Sequence, residues 1–598
     1  MNLMTLLRSL LLALLVILTG CSTPQPTLDG RTAENTPPVS PPMPTATPAT
    51  RPADVQQTAP VADTAVNEVV PSIAMPAPPP PAPLAGAMSR KLVDQASRAY
   101  PATRMLMPIR QPLPGDINRE NYTHRDSNPL QLVSKQPVST FSIDVDTSSY
   151  TNVRRMLNQG QLPPADAVRA EEFINYFDYD YDYTPPANRK QPFSVTTELA
   201  PAPWNAKRQL LLVGIQGYRV PAASIPASNL VFLIDTSGSM NEPNKLPLLQ
   251  ASLKQLVREL RHRDRVAIVT YAGSAGVALP STTGDQHATI DAAIDSLGAG
   301  GSTNGGAGIE LAYAQAEQGF IKGGVNRVIM ATDGDFNVGT VNQESLKTMI
   351  EDHRKSGVAL TTLGFGEDNY NDAVEVMLAD VGNGSHHYID SLAEGRRVLV
   401  DEMSATLLTI ASDVKIQIEF NPAQVQEYRL IGYEKRMLKR EDFNNDKVDA
   451  GEIGAGANVT AIYEITPTGS AGARIDPLRY GERAAPSATG NELAFLRLRY
   501  KLPGQSQSRL IARPIAAHAE SQASERLRFA AAVAAFADAL RGGKYLDGFG
   551  YPQIATLAQQ ARGDDPSGYR AGFVQLVKLA NGLTTTTPAH VDSNTAAR

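Results

Sequence analysis

The chain has 598 residues, more than one ordinary domain holds, and 42% of them are hydrophobic, enough for globular cores. Its formal net charge of -6 supplies no basic footprint for nucleic acid. The single cysteine excludes an intrachain disulfide and a thiolate-rich metal site.

Met1 to Arg8 is a short basic lead, and Leu10 to Leu18 is an apolar core too short to span a membrane permanently, so residues 1–20 read as a signal peptide. The segment ends in Leu18-Thr19-Gly20-Cys21, which resembles a bacterial lipobox. That resemblance implies cleavage before Cys21 and lipidation of its thiol and new N-terminus. Two or more acyl chains give stable attachment to a membrane. Ser22 is not Asp, which by the sorting rule of Gram-negative lipoproteins implies the outer membrane rather than the inner. Residues 21–99 are rich in Pro, Ala and Thr, with an unbroken run from Pro78 to Pro81. Such a segment cannot bury enough apolar surface to fold, so it reads as a disordered, lipid-anchored linker. Its reach is ~50 Å as a coil and ~240 Å as extended polyproline II.

Residues 121–220 form an N-terminal α+β region. Pro137 to Asp146 alternates like a strand, Tyr150–Asn158 and Ala165–Tyr176 look helical, and Phe193–Leu199 and Gln209–Gln216 read as strands. Between 230 and 412 the apolar runs Leu230–Ile234, Val266–Tyr271, Val328–Thr332 and Ala359–Phe365 alternate with helix patterns. One of these places Leu246, Leu249, Leu253, Leu256 and Leu260 on a single face. Alternation of this kind predicts an α/β unit with a Rossmann-like parallel sheet covered by helices on both faces. From 413 to 514 the period changes to two, in Lys415–Phe420, Tyr428–Tyr433, Val459–Ile465 and Leu493–Tyr500. Pairing of these strands with those before residue 230 would make the α/β unit an insertion in a β-sandwich-like domain. Residues 523–583 are mostly helical, and 584–598 read as a disordered tail.

The apolar run Val231 to Ile234 ends in Asp235-Thr236-Ser237-Gly238-Ser239. A carboxylate and two hydroxyls on one strand-to-loop turn are hard oxygen ligands, which favour Mg²⁺, Mn²⁺ or Ca²⁺ over zinc or copper. Read alone, Ser237 and Ser239 could equally cap a helix. The pattern Asp-x-Ser-x-Ser resembles the start of the metal-ion-dependent adhesion site (MIDAS) of von Willebrand factor type A (vWA) domains. The family also takes a Thr from a second loop and an Asp from a third. Thr303, within Gly300–Gly306, and Asp333, at the end of Val328–Thr332, stand in the family's order. The segments from Gln136 to Phe177 and from Tyr428 to Gly456 resemble the bacterial YfbK-like vWA lipoproteins, which carry a C-terminal domain of unknown function. The resemblance implies that Ser237 and Ser239 bind a divalent cation directly, Mg²⁺ first and Mn²⁺ or Ca²⁺ as alternatives. It implies that Thr303 binds directly or through water, and that Asp235 and Asp333 hold metal-bound waters or bind directly. A remaining position would take an Asp or Glu from a partner protein of the envelope.

Other motifs carry less. Asp144-Val145-Asp146-Thr147 resembles the opening of a haloacid-dehalogenase phosphatase motif but lacks its later partners, so a structural role is expected. Asp442 to Asp446 starts like a calcium loop, but Lys447 stands at the turn glycine and Ile453 at the bidentate glutamate, so a polar turn is expected. Arg562-Gly563-Asp564 is read as a chance tripeptide, and His386-His387 as a strand end. The sequence contains neither His-Glu-x-x-His nor a Gly-x-x-x-x-Gly-Lys phosphate loop. The expectation is therefore a non-enzymatic, cation-dependent protein-binding lipoprotein. A metal-assisted hydrolase and an envelope scaffold with a vestigial site are the alternatives.

Overall fold

The computed structural model describes residues 119–183, 191–301, 305–334, 343–367, 369–476 and 490–586. The expected signal peptide, Cys21, the linker, Thr303 and residues 587–598 lie outside the described residues.

Among the described residues, strands β1 (Gln131–Leu132) and β2 (Val138–Ser142), helices α1 (Ser148–Asn158) and α2 (Ala170–Asn175), and strands β3 (Phe193–Ala202) and β4 (Asn205–Gly217) come first. There follow β5 (Ser228–Asp235), α3 (Leu246–Val257), β6 (Arg265–Tyr271), β7 (Ala275–Thr283), α4 (His287–Asp295) and α5 (Gly305–Gln318). Next come β8 (Val325–Thr332), α6 (Gln343–Arg354), β9 (Ala359–Gly364), α7 (Asp372–Val381), β10 (His386–Tyr388), α8 (Leu392–Arg396) and α9 (Met403–Leu407). The last part holds β11 (Thr409–Phe420), β12 (Val425–Ile431), β13 (Ile453–Gly454), β14 (Asn458–Pro467), β15 (Glu492–Lys501) and β16 (Arg509–Ala516). Helices α10 (Glu525–Leu540), α11 (Tyr551–Gln560) and α12 (Tyr569–Thr586) close it.

Leu210 to Val213 is apolar without alternation because β4 is covered on both faces. Leu210 and Leu212 pack with Phe173, Phe177, Phe529 and Phe573, while Leu211, Val213 and Ile215 face a second sheet. Each such side chain contributes roughly 1.5–3 kcal/mol through burial. β4 pairs antiparallel with β3 on one side and β14 on the other, Leu212 standing opposite Ile462. The sheet runs β1-β12-β14-β4-β3, so strands from before β5 and after α9 share it. In the facing sheet β11 pairs with β2, β13 and β15, and β15 with β16. Ile416, Ile418, Leu496 and Leu498 join Leu211 and Val213 in the core between the sheets. The α/β unit is thus an insertion in a β-sandwich, as the change of period predicts.

The inserted sheet has the order β10-β9-β8-β5-β6-β7. Its first five strands are parallel. β7 is antiparallel to β6, a strand that the alternating pattern did not supply. It lies at an edge, where Val277 is 42% exposed, so no continuous apolar run marks it. On β5, Leu230, Phe232 and Ile234 meet Leu249, Leu253 and Leu256 of α3. Val231 and Leu233 meet Ile309, Ala312 and Tyr313 of α5. From β5 the chain turns to β6 on one side and later to β8 on the other. The crevice at such a switch, beyond the carboxyl ends of the strands, is where open α/β sheets bind ligands.

The expected helix Ala165–Tyr176 is a single turn, Ala165–Ala167, followed by α2, with Val168 and Arg169 extended between them. Ser149 Oγ accepts the Arg169 N–H at 2.8 Å, and the Arg169 guanidinium reaches Glu172 and, on α7, Asp372 at 2.6 Å. Those contacts outweigh the helical hydrogen bonds the two residues forgo. Beside them the Lys435 ammonium lies 2.9 Å from Asp144, 2.7 Å from Asp146 and 3.2 Å from Glu172. Arg436 joins Asp144 to Asp380 of α7, and Asp146 accepts the His386 N–H at 2.9 Å. The Asp144-Val145-Asp146 motif is therefore part of a buried ionic network that fastens α7 and β10 to the sandwich.

Candidate metal centre

Asp235 is the last residue of β5, and Asp333 directly follows β8. Ile234 stands opposite Ala331 in the register, which brings the two aspartates to neighbouring strand ends. Both are fully buried. Asp235 Oδ1 accepts the Ser237 N–H at 2.8 Å, a short Asx-type turn that swings the chain off the strand. Asp235 Oδ2 accepts the Thr332 hydroxyl at 3.3 Å. Ser237 Oγ and Ser239 Oγ are 3.0 Å apart. Ser237 is 3% exposed and Ser239 more so, so the group opens toward solvent at the Gly238 end. The glycine-rich loop lies alongside: the Gly238 N–H donates to Gly301 and the Gly300 N–H to Thr236, at 3.2 and 2.7 Å. Thr303, two residues beyond Gly301, is outside the described residues.

These donors fit a small, hard cation. Neighbouring corners of an octahedron with magnesium–oxygen bonds lie about 2.9 Å apart, close to the spacing of the two serine hydroxyls. The electrostatics point the same way. Burial, together with the Asp333 charge, pushes the Asp235 carboxyl up to about 6, although hydrogen bonds from Ser237 favour its ionised form. On α7, Glu375 is fully buried with its carboxylate against Gly364 at the end of β9, and neither of its carboxylate oxygens has a hydrogen-bond partner among the described residues. Burial first, and then Asp372, Asp333 and Asp235, raise its carboxyl well above the usual range. The strand ends thus carry negative potential that the neighbouring side chains do not fully offset.

Two residues were missed from sequence. One is Glu375. The other is Lys245, whose ammonium lies 3.0 Å from Asp333 Oδ2 with both side chains buried. Lys245 immediately precedes α3, where a cation opposes the helix dipole. That mismatch was the available signal. Asn241 and Glu242, which follow the aspartate–serine turn, are exposed. His386 bonds Thr362 and Tyr370, while His387 bonds Thr147 and Ser385, so the pair is divided between two environments within the core.

A divided sheet with aspartates and hydroxyls at its switch point defines a vWA-domain protein, a class that acts in protein interaction, commonly through a divalent cation. Sequence models agree: the von Willebrand factor type A domain matches residues 229–396, and a second von Willebrand factor model matches 116–212. The model described as uncharacterized protein YfbK, C-terminal, matches 405–583. The chain is 55% identical over 469 residues to the uncharacterized protein YfbK of Escherichia coli K12, covering 77% of this chain and 81% of that one. It belongs to the YfbK family. Among solved structures, a von Willebrand factor type A protein from Catenulispora acidiphila aligns at 15% identity and a TM-score of 0.36, covering 64% of this chain and 89% of that one. Proximal thread matrix protein 1 from the mussel byssus, with a zinc-occupied MIDAS motif, aligns at 24% identity and a TM-score of 0.25, covering 30% and 45%. Neither the von Willebrand factor type A model nor the YfbK family is catalytic.

Proposed function

We propose that this protein is a lipid-anchored component of the bacterial envelope that grips an acidic side chain of a partner protein through a divalent cation. Mg²⁺ is the first choice of ion, held by Asp235, Ser237, Ser239, Thr303 and Asp333. The observation that carries the reading is the meeting of two buried aspartates with two hydroxyls 3.0 Å apart at adjoining strand ends. The bound ion would supply an electron-poor centre with a coordination position left for an external carboxylate. Neutral serine hydroxyls preserve that character because they donate little charge. Asp235 is fixed by the Ser237 N–H and the Thr332 hydroxyl without the ion. Cys21, by its lipobox-like setting, would tether the protein to the outer membrane, and the proline-rich linker would set its distance from it.

Calorimetric titration of the soluble protein with MnCl₂ or MgCl₂ tests the centre. Wild type is expected to bind one ion and Asp235→Ala to lose it while keeping its circular dichroism spectrum; equal affinities would refute the assignment. Retention of a partner from envelope membranes is expected to disappear in EDTA. For the anchor, Cys21→Ser is expected to abolish palmitate labelling and release the protein; unchanged labelling and retention would refute it.

A further inference from the structure

The buried lysine at the strand ends has no place in the donor set just described. Lys245 Nζ is 3.0 Å from Asp333 Oδ2, and the two side chains are 5% and 0% exposed. Its stem passes over Gly366, whose φ is +78°; a β-carbon there would lie 2.3 Å from the lysine Cε. A side chain at Gly366 would therefore collide with the lysine where it lies. A long, flexible ammonium is seldom buried without a specific partner, and the partner here is a proposed metal-site carboxylate.

We propose that Lys245 is a built-in countercharge that makes the centre selective for an anionic ligand, weakening its hold on the cation in order to strengthen its hold on a carboxylate. This inference rests on the reading of the site given above. Asp235 and Asp333 together carry two negative charges, and Lys245 cancels one. A dication held there leaves a net single positive charge, whereas without the lysine the loaded centre would be neutral. The ammonium thus repels the metal and leaves residual positive charge for an incoming Asp or Glu. Lys245 acts through Asp333 and is a positioning residue. Unit charges a few ångströms apart at a partly buried site interact strongly enough to change affinity by at least about tenfold.

The test uses Lys245→Met, which keeps the stem, and Lys245→Gln, which also keeps a hydrogen-bond donor for Asp333. MnCl₂ is titrated into wild type and both variants, and sodium acetate into each Mn²⁺-loaded protein. The expected result is a change of opposite sign in the two titrations: Mn²⁺ binding tighter by about tenfold or more, and acetate binding weaker by a similar factor, in both variants. The Mn²⁺-dependent rise in melting temperature gives the same comparison for a variant too unstable to titrate. Unchanged or weaker Mn²⁺ affinity in both variants would overturn the inference and leave the metal centre standing, because wild type is measured alongside. If Lys245→Gln behaves as wild type while Lys245→Met does not, hydrogen bonding rather than charge is responsible and the inference fails. Absence of Mn²⁺ binding in wild type would overturn the proposed function and this inference together.

Discussion

Two buried gatherings of carboxylates in this protein are neutralised to different degrees. In the network between α7, α2 and the sandwich, Asp144, Asp146 and Glu172 all approach one another within 4.8 Å, and Lys435, Arg436 and Arg169 are interleaved with them. Burial alone would raise the Glu172 carboxyl, but Arg169 and Lys435 outweigh it and hold it below the usual range, while Asp146, where burial and the neighbouring acids outweigh Lys435, is pushed up to about 7. At the strand ends, Asp235 and Asp333 face one lysine and the neutral hydroxyls of Ser237, Ser239 and Thr332, and burial leaves the Asp235 carboxyl raised to about 6. The same residue types therefore serve opposite ends. Where the chain supplies a cation for each acid the group is structural; on the function proposed above, the strand-end acids, which face a single lysine, take a second cation from solution.

The contrast is most sharply broken by Lys435→Met. Removing the ammonium shared by three buried carboxylates is expected to cost about 3–5 kcal/mol, read from the urea midpoint. A loss below about 1 kcal/mol, the range of exposed pairs, would mean that the network does not fasten the inserted unit. Asp235→Asn should behave in the opposite way. It keeps an acceptor for the Ser237 N–H and removes a poorly compensated charge, so metal-free stability at pH 7.5 should stay within about 1 kcal/mol of wild type. Its Mn²⁺ affinity should nevertheless fall at least about 100-fold, since a charged oxygen ligand is lost. Thr332→Val removes the hydroxyl that donates to Asp235 Oδ2 and accepts the Gly334 N–H beside Asp333, and is expected to weaken Mn²⁺ binding about tenfold, as loss of a ligand's supporting partner does.

The smallest effect concerns pH. Glu452 lines a 280 Å³ cleft together with Asp144 and Lys435, and burial pushes its carboxyl up to about 8, with Arg327 opposing the shift. Between the ordinary carboxyl value of 4.5 and about 8, the folded protein holds a proton that the unfolded chain has released. Stability from this group is thus complete below 4.5 and is lost as pH rises through 8. Glu452→Gln should match wild type near pH 4 and melt about one degree higher near pH 9, roughly what 1 kcal/mol produces in a protein of this size. A melting curve that separates the two proteins only at acidic pH would reverse the sign and exclude the assignment.

The aspartate–serine turn was legible because its chemistry is local: a strand end, a carboxylate and two hydroxyls occupy five consecutive positions. Asp333 was legible for the same reason, since an apolar run stops at it. Lys245 was not, because the acid that gives it meaning is 88 residues away. Asp144 and Asp146 stood out as a motif, but Lys435 looked like any surface lysine until the fold brought it to them. The sandwich strands of the last third showed through their period of two, whereas β16, half exposed along an edge, lacked that contrast. The break at Val168 and Arg169 could not be read from local preference. It follows from distant contacts to Ser149 and Asp372.

The pairing of β4 with β14 has a consequence for how the protein is made. During synthesis β3 and β4 can form their hairpin early, but the other edge of β4 has no native neighbour until residues 458–465 emerge, after the whole inserted unit. Long-range strand pairing of this kind is slow and exposes an open edge in the meantime. The inserted unit draws its parallel strands from one continuous stretch, so it can fold while the sandwich waits. Its completion brings the two halves of the sandwich toward each other and shortens the search that closes the sheet. The order of assembly is therefore written into the topology: the binding module comes first, and the scaffold that carries it comes last.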